Sequence, residues 1–426
     1  MVAQTALVDE LQSLVGREHA FAPPDGRPFA VDGTSPEAVV EAGSYEDVAA
    51  VVRFASDEGL AVIPWGNGGL MQFGNVPGRY DIALSLSRLN AIIEYEPADM
   101  TVTCQAGISM GDLNGRLGEN AQTVPFGFSA SNRHQVGGLL AANHTQLRLT
   151  YGTPRDFAIG MRVVTADGRI TRAGGKVVKN VAGYDLCKLY IGSLGTLGVI
   201  VEATFKLFPV SQAGERIDLA FERAGDACRF ARELQRRGLS LSEMDLQRRH
   251  LSESPAADSY VLRVELAGSV GGVERSRNEI QELAGEYGAR RCEPAVRQDA
   301  LMEIGARNHG DALTCRISAL PTAVPDLIES LDSEAPEAHI WSASPIFGTV
   351  YATWPGAGDD VEFVERVRAV TSHVGGTLVV TGCSLALKRR IDVFGDPPPA
   401  FELMRRVKQQ FDPTGILSPG RFVGRL

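Results

Sequence analysis

Two glycine-rich stretches, far apart in the chain, constrain the fold most. They are Pro64-Trp65-Gly66-Asn67-Gly68-Gly69-Leu70 and Gly192-Ser193-Leu194-Gly195-Thr196-Leu197-Gly198-Val199-Ile200. Each adjoins an apolar run that reads as a buried strand, Leu60-Ala61-Val62-Ile63 before the first and Val199-Ile200-Val201 within the second. Glycine loses the most backbone entropy on folding, so its clustering at strand ends marks places where something approaches the main chain closely. Consecutive N–H groups without side chains form a concave nest for an anion. The pattern predicts an extended cofactor held by its diphosphate.

Two common phosphate loops fail against these residues. A Walker A loop needs Gly-Lys followed by Ser or Thr, and Gly175-Lys176 is followed by Val177. A Rossmann loop opens a helix. Here the segment after Gly69 is Phe73-Gly74-Asn75-Val76-Pro77-Gly78, whose glycines and proline oppose a helix. Strand-like runs follow at 81–85, 92–95 and 101–104, so the phosphates are expected to meet loop amides without a helix dipole behind them.

Composition narrows the function classes. A length of 426 residues allows two or three domains, and 44% hydrophobic with 22% charged residues is ordinary for a globular enzyme. A net charge of −10 speaks against nucleic acid as a partner, because phosphate contacts need clustered Lys and Arg. There is no apolar run long enough to span a membrane, and the first residues lack the build of a signal peptide. Cytoplasmic residence is the expectation, with the inner membrane reached only through partners. Cys104, Cys187, Cys228, Cys292, Cys315 and Cys383 contain no Cys-x-x-Cys pair, and the seven histidines no His-x-x-x-His pair, so buried thiols and no metal site are expected.

The chain organises into an N-terminal segment 1–35, an α/β region 36–210 with lobes 36–98 and 99–210, a region 211–395, and a C-terminal segment 396–426. Residues 7–15 read as a short amphipathic helix and 20–35 as irregular. Ser44 with Asp47 caps a helix that Gly59 ends, and Ser109 with Asp112 caps another that stops near Gly118. Asp167-Gly168 between apolar runs predicts a hairpin. From about 216 the texture becomes strand–helix–strand, consistent with two ferredoxin-like halves on an antiparallel sheet. No internal sequence repeat is visible.

The order of these elements resembles the FAD-binding domain of the vanillyl-alcohol oxidase superfamily, also named for p-cresol methylhydroxylase (PCMH), and within it the GlcE-type FAD-binding subunits of glycolate oxidase. The resemblance rests on residues 64–70, Val136 to Asn143, Tyr151 to Asp156, Gly174 to Leu186, Gly192 to Ile200 and the ending Phe411 to Arg421. It is dense over 40–210, thin over 211–395, and returns at the end. It implies an α+β fold, a two-lobed PCMH-type FAD domain with a ferredoxin-like cap. It implies FAD, held by Gly66, Asn67, Gly68, Gly69, Leu70 and Met71 at the diphosphate. Gly137, Gly138, Asn143, Asn180, Gly195, Gly198, Val199 and Ile200 are the further contacts. Some relatives bind flavin covalently through a His or Cys in the first loop; 66–71 has neither, so the flavin is expected to be non-covalent. Lys176 and Lys179 flank the same region as Asn180, where a solvated surface charge is an equal reading. Where the family usually ends in Asn-Pro-Gly this chain has Ser418-Pro419-Gly420, which bears on flavin tuning more than on binding.

The substrate end is thinly written. The resemblance implies that Arg316 captures a carboxylate, for which a guanidinium is suited, although a surface ion pair is an equal reading. His309 and His373 are the candidate bases. The His-rich metal motif of the GlcD-type relatives is missing, which favours a GlcE-like subunit. It would oxidise glycolate or a similar 2-hydroxy acid and pass electrons to a GlcD-like flavoprotein and an iron–sulfur subunit. The alternatives are a non-catalytic electron-conducting flavoprotein, a free-standing FAD-linked oxidase, and the UDP-N-acetylenolpyruvoylglucosamine reductase branch, which the long 174–200 block and the C-terminal ending fit badly.

Overall fold

The computed structural model describes residues 2–23, 28–127, 134–144, 148–176, 183–249, 259–292, 312–334, 340–357 and 359–426. The chain divides into two compact units, one of Met1–Leu147, Tyr151–Val210 and Asp396–Leu426, the other of Arg148–Thr150 and Ser211–Gly395.

The first unit contains two larger sheets. In one, the strands run in the order Ala20–Phe21, Ala38–Glu41, Ile82–Ser85, Val62–Trp65, the last three parallel. Ala20–Phe21 pairs within the segment expected to be irregular. The helix Tyr45–Glu58 links two of the parallel strands. Ser44 and Asp47 form its capping box and Gly59 ends it in the left-handed conformation, as their spacing predicts. Its Val48, Val51, Val52 and Ala55 are buried at the spacing of one helical face. The C-terminal segment lies beside Val62: Val62 N–H donates to Ile416 O (2.8 Å) and Ser418 N–H to Val62 O (2.9 Å). The other sheet has the order Ile92–Glu96, Thr101–Gln105, Val199–Lys206, Ala158–Val164, Ile170–Gly174, antiparallel throughout. Its last two strands form the hairpin around Gly168.

The second unit is built on one eight-stranded antiparallel sheet. Its first half runs strand Ala213–Phe221, helix Ala224–Arg236, strands Leu241–Arg249 and Ser259–Gly268, helix Val270–Glu286, strand Arg290–Arg291. Its second half runs strand Ala312–Ser318, helix Val324–Glu334, strands Ile340–Ser344 and Thr349–Pro355, helix Val361–His373, strand Thr377–Gly382. Both are β-α-β-β-α-β units with the same strand order, joined through their second strands by pairing of Leu246 with Ala343 and Gln247 with Ser342. The repeat is structural, and the two halves share no visible sequence pattern. Alternation along each strand gives the sheet two characters. Leu219, Leu262, Leu246, Ala343, Val350 and Ile317 form one core with Phe230, Ile280, Ile328 and Val364 of the four helices. Positions of the opposite parity carry Asp218, Arg263, Asp245, Gln247, Ser342, Tyr351 and Arg316, which neighbour one another in register across the strands.

Asp245 stands where the two halves meet on this polar face. Ser342 Oγ of the second half donates to one of its oxygens and Gln247 Nε2 to the other. Burial pushes the Asp245 carboxyl up to about 6; the bonds from Ser342 and Gln247 and the Arg263 charge hold it down, and Glu265 adds to the rise. Between about pH 4 and 6 the folded state therefore keeps a proton that the unfolded chain has lost, and stability from this group falls as pH rises through that window. Asp245→Asn stays neutral throughout. Its melting temperature relative to wild type is expected to climb by about 4–8 °C between pH 4 and 7.5, the shift that ~2 kcal/mol gives a unit of this size. A difference that stays flat across that range in thermal melts would show that Asp245 carries no such penalty.

Candidate functional site

The first unit holds a cleft walled by segments far apart in the sequence, the kind of concave surface on which small molecules and cofactors bind. The loop Gly66–Met71, the first turn of the helix Val136–Ala142, the segment around Leu194 to Ile200 and Arg421 form its walls. The antiparallel sheet brings these together. Pairing of Thr101–Gln105 with Val199–Lys206 sets Ala106 against Val201, whose carbonyl accepts from Ala106 N–H at 3.0 Å. Ala106 O in turn accepts from Gly137 N–H at 2.7 Å. Sequence-distant glycines thus share one wall.

The lining fits a diphosphate cofactor. Met71 N–H donates back to Gly68 O at 3.2 Å, but among the described residues no acceptor meets the amides of Gly66, Gly68, Gly69 and Leu70. Gly68 has φ of 75°, and a Cβ there would lie 3.1 Å from the Trp65 ring, so a side chain is excluded by conformation and by space. A hydrogen bond to a charged group is worth about 1.5–3 kcal/mol, so three or four such amides suffice to anchor a diphosphate without a lysine. FAD fits this donor set, and Gly66 to Met71 are the residues that would hold its diphosphate.

The two glycines of the helix divide their labour. A Cβ on Gly137 would press on Ala106 Cβ at 3.0 Å and Ala106 O at 3.1 Å, and its amide is already used. Gly137 is there for packing. A Cβ on Gly138 would meet nothing within 4 Å, and its surface opens on the cavity. Gly198 resembles Gly137, since a Cβ would come to 2.4 Å from Val163 Cγ1. Gly195, Asn67 and Ile200 also line the cavity.

Other expected residues lie elsewhere. Asn143 is outside the lining; it caps the helix C-terminus at φ 50°, ψ 47°, a left-handed conformation that Asn tolerates. Val199 is fully buried in the hydrophobic core, and Ile200, the next residue, faces the cavity. Lys176 is ion-paired with Glu94 at the surface, in keeping with its solvated reading. Asn180, Lys179 and His309 fall outside the described residues. Arg316 is half-buried on the polar face of the second unit's sheet, paired in register with Tyr351 and Val379. His373 is exposed at the end of a helix whose Phe363, Val364 and Val367 pack on the opposite, apolar face. The fold therefore does not bring Arg316 and His373 together.

Three polar lining residues carry no glycine signal and escaped the sequence reading: His134, Gln135 and Arg421. His134 and Gln135 directly precede the Val136-Gly137-Gly138 motif, so their position was the available cue. Arg421 is 4% exposed. Its Nη1 donates to Asp32 Oδ2 (3.2 Å) and Asn75 O (3.0 Å), its Nη2 to Met71 O and Phe73 O (both 2.6 Å). Among the described residues no group of three or more His, Cys, Asp or Glu is placed to hold a metal ion, and no helix is long and apolar enough to cross a membrane.

The contrast between the paired glycines is testable in apoprotein and with FAD. Gly138→Ala should leave the apoprotein as stable as wild type or raise it by about 0.5–1 kcal/mol, the helix preference of Ala over Gly, while weakening FAD binding. Gly137→Ala should lower apoprotein stability through Ala106. Thermal melts and fluorescence titration with FAD separate the two, and equal behaviour of both variants would refute the division.

Residues 36–174 match the family model of the FAD binding domain, and residues 387–422 that of the C-terminal domain of FAD linked oxidases. The chain is similar along its length to D-lactate dehydrogenase of Archaeoglobus fulgidus, with 28% identity over 98% of this chain and 99% of the relative. It is similar to D-2-hydroxyglutarate dehydrogenase of Stutzerimonas stutzeri, with 26% identity over 98% of each. Glycolate oxidase subunit GlcD of Bacillus subtilis shows 24% identity over 92% of this chain and 89% of the relative. Among solved structures, p-cresol methylhydroxylase with substrate bound aligns with a TM-score of 0.73 at 17% identity, covering 99% of this chain and 97% of that one. An alkyldihydroxyacetonephosphate synthase aligns with a TM-score of 0.72 at 17% identity, covering 97% and 84%. The relatives' names spread over three activities, so the likeness holds for the superfamily and does not single out the GlcE branch. Amide cradle, matched domains and shared architecture converge: the chain carries an FAD binding domain on a PCMH-type fold and is an FAD-linked oxidoreductase.

Proposed function

We infer that the chain oxidises a small 2-hydroxy acid of the glycolate, D-lactate or D-2-hydroxyglutarate class. The observation that carries this is the set of near full-length relatives, whose names share the 2-hydroxy carboxylate and differ in what extends from it. FAD, when bound, supplies the two-electron acceptor for the hydride leaving C2. The chain's own part is to hold the carboxylate and take the hydroxyl proton. Arg316 is the proposed carboxylate partner: its strand turns it to the polar face, beside Tyr351 and away from the helix layer. A guanidinium binds a carboxylate through two parallel hydrogen bonds. His309, just ahead of the same strand in sequence, is the proposed base; His373, across the sheet from Arg316, is set aside.

The flavin is proposed to be non-covalent, because the diphosphate loop has no nucleophile. His134 in the cavity wall makes acid release of the flavin the necessary check. Onward transfer of electrons to an iron–sulfur-bearing partner is proposed from the sequence, which has no cysteine spacing for a cluster of its own. Such a partner and the GlcE-like subunit role stand or fall by co-purification.

Anaerobic mixing with each of the three acids tests the central reading. One of them is expected to bleach the flavin, and Arg316→Met to raise the apparent KM at least about tenfold, the worth of a lost charge-assisted pair, with FAD content unchanged. If no acid bleaches the flavin, the electron-conducting alternative takes its place. An unchanged KM returns Arg316 to a structural ion pair.

A further inference from the structure

The cavity wall contains a polar side chain that the amide cradle leaves unused. Gln135 occupies the N-cap position of the helix Val136–Ala142, yet its side chain makes no capping hydrogen bond. It is 8% exposed, and its Oε1 is buried with no partner. A buried carboxamide left unpaired is destabilising, and native structures seldom keep one without a use. The backbone beneath it is fixed: Gln135 bridges to Ser109, its carbonyl accepts from Leu139 N–H at 3.1 Å, and Val136 N–H donates to Ile108 O at 3.1 Å. The side chain is thus presented into the cavity from a rigid position.

Its location tells which end of the cofactor it serves. Oε1 lies 2.4 Å from where a Cβ on Gly66 would be, so the carboxamide fills the space that this glycine leaves at the entry of the diphosphate loop. That loop has no lysine or arginine. The cation in the wall, Arg421, has both terminal nitrogens engaged by Asp32 and three backbone carbonyls. A neutral donor beside Gly66 complements the unpaired amides of Gly68, Gly69 and Leu70. Oxygen and nitrogen of a carboxamide exchange by a half-turn about its last bond, so the group can turn Nε2 inward when an anion arrives.

We propose that Gln135 is a positioning residue for FAD, donating through Nε2 to a diphosphate oxygen and supplying the side-chain donor that the glycine loop lacks. The proposal rests on FAD occupying this cavity and is independent of which substrate is oxidised.

The test compares wild type with Gln135→Leu and Gln135→Glu, each prepared as apoprotein and titrated with FAD, then saturated with it. Gln135→Leu is expected to weaken FAD binding on the order of tenfold and to leave apoprotein melting unchanged or higher, since an unpaired buried amide is removed. Gln135→Glu, which sets a carboxylate against the diphosphate, is expected to weaken it further. At saturation, the ³¹P resonances of bound FAD should shift in Gln135→Leu while the flavin absorption bands stay in place. A moved flavin spectrum with unmoved ³¹P resonances would put the contact at the other end of the cofactor and overturn the proposal. A fall in apoprotein stability with normal FAD affinity would make Gln135 a structural residue and overturn it equally. Should the Leu variant fail to fold, Gln135→Met serves for the same measurements. Failure of wild type to bind FAD at all would instead remove the FAD site itself.

Discussion

The buried guanidinium of Arg421 is the contact on which the cofactor cavity depends. It collects the carbonyls of Met71, Phe73 and Asn75, and thereby fixes the return of the loop whose earlier amides face the cavity. Burial lowers the Arg421 pKa and the Asp32 carboxylate opposes that fall, but the group remains a cation at any working pH. Breaking such a buried pair costs about 3–5 kcal/mol, and here three carbonyls would be orphaned with it. The approach is close enough to dictate a neighbour: a Cβ on Gly74 would lie 2.7 Å from Arg421 O. The glycine at 74, which denied the segment a helix, is there to let the C-terminal backbone in.

The rest of the C-terminal segment extends the same logic. Lys408 Nζ donates to Thr196 O, Leu417 O and Asp412 Oδ2, and Asp412 accepts the amides of Ile416 and Leu417. One buried ion pair thus ties the helix Phe401–Phe411 to the second glycine stretch and to the strand beside Val62. Burial lowers the Lys408 ammonium while Asp412 counters it. The sequence resemblance returns at Phe411 to Arg421, after a long thin region, because these residues complete the FAD-binding unit. The intervening region has only its own sheet to satisfy, and many sequences can do that.

What was legible in the chain divides along this line. Local rules predicted local structure: the Ser44–Asp47 box, the Gly59 stop, the Gly168 hairpin and the alternating strands of the second unit all follow from short-range chemistry. The glycine loop at 66–71 was legible as a row of open amides because Gly66, Gly68 and Gly69 leave the backbone bare. Gln135 and Arg421 were not, because nothing in their neighbourhood says that one stands unpaired against Gly66 and the other meets Asp32, distant in sequence. Asn143 reads two ways for a related reason. An Asn after an apolar helix has a local cause, the left-handed cap, which competes with any cofactor role. The two halves of the second unit were legible from their strand–helix–strand texture but not as a sequence repeat, because β-α-β-β-α-β needs only the alternation of apolar and polar positions, and its two copies fill those positions with different residues.

That alternation also gives the second unit its chemical character. Among the described residues the four helices pack on one face of its sheet, and the other carries Asp218, Arg263, Asp245, Ser342, Tyr351 and Arg316 in a continuous row. Arg216 forks onto Asp218 at 3.0 and 2.8 Å, and Arg263 shares the same carboxylate. In the first half every charge in the row is thus answered by a partner on its own sheet. Across the join through Asp245 and Ser342, the second half offers at the equivalent place a strand with Arg316 paired in register with Tyr351, which in turn pairs with Ser342. Two halves with one fold have therefore diverged in side-chain chemistry: where the first half sets the carboxylate of Asp218 on its first strand, the second sets the guanidinium of Arg316. The backbone pattern fixes which positions face the polar side, and the side chains at those positions are free to differ between two copies of one fold.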